Sequence, residues 1–302
     1  MMRSAFLSMD VDSVASHLQG YGVTDVPADG KAYERAVPRL LEMLARRNAR
    51  CTFFLVAREA ARHPAAVRSI TDSGSEVACH SMTHPVPFLP ADPRIRHREL
   101  GDAKRLLEDL TGKSVEGFRA PSWNAGPDLN RWLLEEGYLY DASAYPSWMI
   151  LLLRRSVKSR SGIRGRGAGP GVYAAPFGNP HPHRAETAAG ELAEIPIGTI
   201  PLLRIPYYHT LRLLIPGRVF RTVDFLAAFR RGAMGYVFHA VDFLDTDRDG
   251  LDPRIRRHPG MEKSLEAKLR LAEEALGALS RRGPIGTLEG VARNILGKGA
   301  GL

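Results

Sequence analysis

The sequence predicts an α/β fold, a parallel sheet or barrel with its helices outside. Three observations carry that prediction. Short apolar runs alternate with segments of helical period along most of the 302 residues. Chemically interesting residues recur just after the apolar runs. At 44% hydrophobic and 25% charged, the composition is that of a soluble globular protein able to bury a sizeable core. Because α/β barrels commonly run to ~250 residues as one unit, a single domain over residues 1–302 is expected.

Residues 5–11 read as a buried strand, and Tyr33, Val37, Leu40, Leu41 and Leu44 follow at helical spacing in a helix ending near Asn48. Residues 51–56 are the next strand. A helix over 65–73 ends at Gly74, a C-cap, and 76–79 resumes as strand. Asp92 caps a helix with Pro93 at its first position, running to about residue 110 and stopped by Gly112. Further strands are expected at 115–119, 138–141, 235–240 and 285–288. Helices are expected at 128–136, 222–231 and 264–281, with a last one closing the chain.

The interval 146–216 breaks this rhythm. It holds the Gly/Arg-rich stretch SGIRGRGAGPG, many prolines and two short strand-like pieces at 172–175 and 193–197, so it reads as an inserted loop and β region.

Asp10 and Asp12 end the first strand, where the alternation of side chains puts both carboxylates on one side. Close carboxylates seldom persist without a cation or proton between them. His80 and His84 form an H-x-x-x-H at another strand end; if the segment turns helically, the two imidazoles share a face and can chelate one ion. One oxygen and two nitrogens from adjacent strand ends make a facial triad with open positions. Arg119, Asp141 and His239 also follow strands, where the C-terminal mouth of a barrel would lie.

Taken in order, the paired-Asp strand end, H-S-x-x-H, Arg119-Ala120-Pro121, the aspartate after a strand and the late histidine resemble the motifs of the NodB-type polysaccharide deacetylases. The opening Asp-Val-Asp with Gly20-Tyr21-Gly22 resembles the cytoplasmic, peptidoglycan-deacetylase-like branch. The run from Val37 to Glu42 and the His239-Ala240 pair are similar to deformylases of polyprenyl-phosphate-linked aminoarabinose. The resemblance implies a distorted (β/α) barrel of about seven parallel strands and metal-dependent hydrolysis of an N-acetyl or N-formyl group on an amino sugar. It implies Asp12, His80 and His84 as ligands of a divalent metal, zinc first and cobalt, nickel or iron otherwise, with Asp10 as general base. His239 is then the general acid, oriented by Asp141, and Arg119 holds Asp10 by a charge-assisted pair. A backbone N–H near Ser122 helps stabilise the oxyanion. The family's usual aromatic after R-x-P is replaced by Ser122, with Trp123 next, so contact with the sugar face must differ.

The net charge of +9 suits anionic partners. No acidic residue occurs between Asp141 and Glu186, while Arg154, Arg155, Lys158, Arg160, Arg164 and Arg166 gather beside the apolar run 148–153, a pattern compatible with a lipid-linked substrate or peripheral membrane contact. No nucleic-acid motif accompanies the charge. Two cysteines and no room for a signal peptide before Asp10 lead to the expectation of a cytoplasmic protein. Oligomeric state is left open. The stretch Asp245–Gly250 imitates a calcium loop but has Arg256 where a bidentate Glu is needed, and Thr111–Ser114 imitates a phosphate loop without its first glycine. Hydrolysis of a non-peptide C–N bond in a small molecule, as in allantoinases, and non-catalytic binding of a glycan or anionic membrane are the competing functions.

Overall fold

The computed structural model describes residues 4–86, 88, 92–124, 126–149, 177–230 and 232–299. Its strands are β1 (Ser4–Val11), β2 (Thr52–Leu55), β3 (Glu76–Cys79), β4 (Gly117–Phe118), β5 (Tyr140–Asp141), β6 (His183–Thr187), β7 (Gly190–Glu194), β8 (Ala233–His239) and β9 (Ile285–Gly286). They form one sheet in the order β6-β7-β5-β4-β3-β2-β1-β8, with β9 added on β1. Every pairing is parallel except the β6–β7 hairpin. The barrel expected from the sequence is therefore a curled half-barrel, open between β6 and β8 among the described residues.

Alternation along β1 explains both faces of the sheet. Ala5, Leu7, Met9 and Val11 point outward into the larger core shared with the flanking helices. Phe6 points inward, with Phe54, Ala78 and Tyr140, against Leu288, Val291 and Ala292 of the helix Leu288–Leu296. That helix closes one end of the curl. Ser8 and Asp10 follow on the same inward face, so the polar mouth lies at the other end, where the strands finish.

Caps act where the sequence placed them. Asp92 accepts from the Arg94 N–H at 2.8 Å, and the helical run that starts at Pro93 ends at Gly112, whose φ of 64° favours glycine. Ser264, expected as the first residue of a helix, is instead the cap of Leu265–Ser280. Differences cluster where tertiary context decides. The helix Val14–Gln19, capped by Ser13, was not expected and follows the first strand almost at once. The helix expected at 222–231 starts earlier, as Gly217–Ala228, and the strand expected at 193–197 is shifted to β7, paired with a hairpin strand that has no apolar alternation. The strand-like piece at 172–175 and the basic residues from Arg154 to Arg166 lie outside the described residues. No helix among the described residues is long and apolar enough to cross a membrane.

Candidate metal centre and active site

β1 and the turn after it deliver Asp10 and Asp12, and β3 delivers His80. Asp12 Oδ1 lies 3.3 Å from His80 Nε2 and 3.4 Å from His84 Nε2, and all three residues are buried. The His80–His84 segment is not helical. Ser81 and His84 have φ of 69° and 59°, and the Ser81 hydroxyl accepts from the His84 N–H at 2.9 Å. A tight left-handed kink, rather than one helical face, swings the second imidazole back beside the first.

The protonation pattern suits a cation. His80 Nδ1 donates to the Arg119 carbonyl at 2.7 Å, since a carbonyl can only accept; this leaves the Nε2 lone pair facing Asp12. Burial alone would raise the Asp12 pKa, but the His84 and His80 imidazoles hold it well below the ordinary carboxylate value. Burial pulls His84 down, whereas at His80 the Asp12 charge outweighs burial and the shift is upward. Asp12 Oδ1 and His84 Nε2 are buried without a hydrogen-bond partner. Buried polar atoms are normally paired. One oxygen and two nitrogens within 4.8 Å of one another therefore fit a divalent ion, and among the described residues this is the group that could hold one.

Asp10 sits one step inward. Arg119 Nη1 meets Asp10 Oδ1 at 2.5 Å and Ser8 Oγ at 2.9 Å, its Nε donates to the Ala142 carbonyl, and the guanidinium lies 4.1 Å over the Phe54 ring. His239 Nε2 is 3.9 Å from Asp10 Oδ2, the oxygen that Arg119 does not take. Asp10, Asp12, His80, His84, Arg119 and His239 are thus brought to one mouth.

The structure sets a second carboxylate beside His239 in addition to the one expected. Asp141 bonds the Ser143 hydroxyl and N–H through one oxygen, and burial, with the nearby Glu194 charge, raises its pKa to about 7. The carboxylate against His239 is Asp242, which accepts the His239 N–H at 2.8 Å and lies 3.9 Å from Nδ1. The physical reason is the turn Ala240–Phe243, which folds Asp242 back under the end of β8. Ser122 and Trp123 occupy a left-handed turn with φ of 54° and 49°; Ser122 is exposed, and the half-buried Trp123 ring meets His239 edge-on at 5.4 Å. His181 is exposed and His183 half-buried, on the edge hairpin.

Three site residues escaped the sequence reading: Asp242, His17 and His258. His17 lies on the unexpected helix Val14–Gln19, with Nε2 4.0 Å from Asp12, and burial lowers its pKa to about 4. Asp242 stands three residues after His239, a spacing that marks a turn cap and was available as a signal. Nothing in the spacing announces His258.

The family model described as polysaccharide deacetylase matches residues 27–138. A peptidoglycan deacetylase of Helicobacter pylori is 32% identical over 139 residues, 45% of this chain and 47% of that protein. A peptidoglycan deacetylase-like protein of Gibberella zeae is 32% identical over 145 residues, 45% of this chain and 42% of its own length. The chain thus spans under half the length of these curated relatives. Among solved structures, a polysaccharide deacetylase-type protein of Mycobacterium smegmatis superposes with a TM-score of 0.62 at 20% identity, over 99% of this chain and 91% of that one. An allantoinase superposes with a TM-score of 0.55 at 17% identity, over 91% and 84%. At such identities the two structures speak for the fold.

Proposed function

We propose that this chain, whose residues 27–138 match the polysaccharide deacetylase family model, is a metal-dependent hydrolase of that NodB-type family, removing an N-acetyl or N-formyl group from an amino sugar. The observation that carries the reading is the meeting of two functional sets at one mouth: Asp12, His80 and His84 on one side, and Asp10 between Arg119 and His239 on the other. A zinc, cobalt, nickel or iron ion held by the first set would supply a Lewis acid for the acyl carbonyl and for the attacking water. Asp10 accepts the proton of that water as its oxygen bonds the carbonyl carbon. Arg119 keeps the carboxylate aimed by binding Oδ1 alone. His239 Nε2 then donates a proton to the sugar nitrogen as the C–N bond breaks, releasing the free amine and acetate or formate. Asp242 fixes the backbone of His239, and Trp123 walls the space beside its ring.

A lipid-linked substrate, in keeping with a cytoplasmic site of action, is the finer reading. It is supported by an exposed apolar patch: Trp148 donates its Nε1–H to the Leu203 carbonyl, beside exposed Leu202 and Leu203. Mass spectrometry of N-acetyl and N-formyl sugars offered free, nucleotide-linked and polyprenyl-linked tests both levels. Loss of 42 or 28 mass units from one class is expected. Cleavage of a ureide in place of every sugar would establish the small-molecule C–N hydrolase instead. Full activity in an Asp10→Asn variant that still binds metal would refute the assigned base.

A further inference from the structure

His17 and His258 belong to none of the motifs, yet they stand beside the triad. Their rings meet edge-on with centroids 4.7 Å apart, and His17 is also edge-on to His239 at 6.0 Å. His17 Nε2 lies 4.0 Å from Asp12 Oδ2, and the Tyr21 hydroxyl lies 3.5 Å from His258 Nδ1. His17 therefore borders both the metal-side carboxylate and the histidine assigned as acid, and His258 packs against it. The Nε2 atoms of both His17 and His258 are buried and have no hydrogen-bond partner. A cation at the triad satisfies Asp12 Oδ1 and His84 Nε2, but neither His17 nor His258 is part of the converging ligand set. Two orphaned ring nitrogens thus remain to be satisfied by something other than the ion.

We propose that His17 and His258 form a polar subsite for a ring hydroxyl of the acylated sugar. The inference rests on the amino-sugar reading above and adds the group that is recognised. A neutral imidazole offers one donor and one acceptor, and a hydroxyl offers one donor and two acceptors, so two adjacent imidazoles can hold a single hydroxyl through both of its capacities. Two neutral imidazoles bring no positive charge to match a phosphate or carboxylate. An uncharged hydroxyl needs none. The two histidines are specificity-determining in this view, whereas the proton transfers stay with Asp10 and His239.

The zinc-loaded chain, assayed on methyl N-acetylglucosaminide and on its 4-deoxy and 6-deoxy analogues, tests the subsite. The wild type should prefer the parent sugar over one of the two analogues by roughly 10- to 100-fold in kcat/KM. His17→Phe and His258→Phe, which keep the edge-on rings but remove the nitrogens, should bring the parent sugar down to the level of that analogue with zinc content unchanged. His258→Gln should restore part of the preference. A wild type that acts on all three sugars alike overturns the subsite and leaves ordered water as the occupant. Discrimination that survives in both Phe variants, or loss of zinc from either, also overturns it. A wild type that cleaves no N-acylated sugar overturns the amino-sugar reading itself, a different result from any of these.

Discussion

The guanidinium of Arg119 contacts Asp10 at 2.5 Å with both side chains buried, and that one pair decides which carboxylate oxygen is left to work. Arg119→Lys keeps the charge but loses the planar fork that also reaches Ser8 and the Ala142 carbonyl. A misplaced Asp10 should lower kcat by about 100-fold with metal content unchanged. Steady-state kinetics paired with elemental analysis checks this; retained kcat would show that Asp10 needs no such clamp.

Asp12 joins both imidazoles, so Asp12→Ala removes the only anionic member of the triad. Metal affinity should fall by at least about 100-fold, more than is usual for an outer-sphere change. Chelation of the wild type should abolish turnover, and added zinc should restore it. Wild-type metal stoichiometry in the purified Asp12→Ala protein would place the ion elsewhere.

Asp242 and Asp141 separate two accounts of His239. Asp242→Ala frees the His239 backbone and should lower kcat by roughly 10- to 100-fold. Asp141→Asn should change kcat by less than about threefold, because its hydrogen bonds go to Ser143. The reverse ranking would return Asp141 to the role expected from its place after a strand.

Glu76 makes stability depend on pH. It accepts from the Thr52 and Tyr140 hydroxyls and the Glu289 N–H, tying the closing helix to the sheet, while burial raises its pKa from 4.5 to about 7. Between those values the folded state holds the extra proton, so this contribution weakens as pH rises through the window. Chemical denaturation from pH 4.5 to 7 should show a shallower decline in Glu76→Gln than in the wild type. A residual slope should remain from Asp141, whose pKa is raised to about 7 for the same reason. Parallel curves for the two proteins would contradict the assignment.

Much of the site was legible because strand ends are legible. Val11, Cys79 and Phe238 close apolar runs, and a parallel sheet sends all such ends to one side, so Asp10, Asp12, His80 and His239 were placed near one another before any coordinates. The kink that joins His84 to His80 was not legible, because φ of 69° at Ser81 is unusual for a residue with a side chain and carries no sequence signal. Asp242 went unnoticed because strand-end position says where a residue emerges, whereas its partner depends on which neighbouring turn folds back.

What the sequence by itself determined was local: alternation in β1, the cap at Asp92 and the stop at Gly112, and the order of the five motifs, each a matter of a few adjacent residues. What only the tertiary structure decided was convergence. His17 and His258 are 241 positions apart, yet their ring centroids lie 4.7 Å from one another, because the half-barrel brings the helix after β1 against the helical turn Pro253–Arg257 that His258 ends. No pattern along the chain encodes such a meeting; it follows from the curl of the sheet and the packing that sustains it.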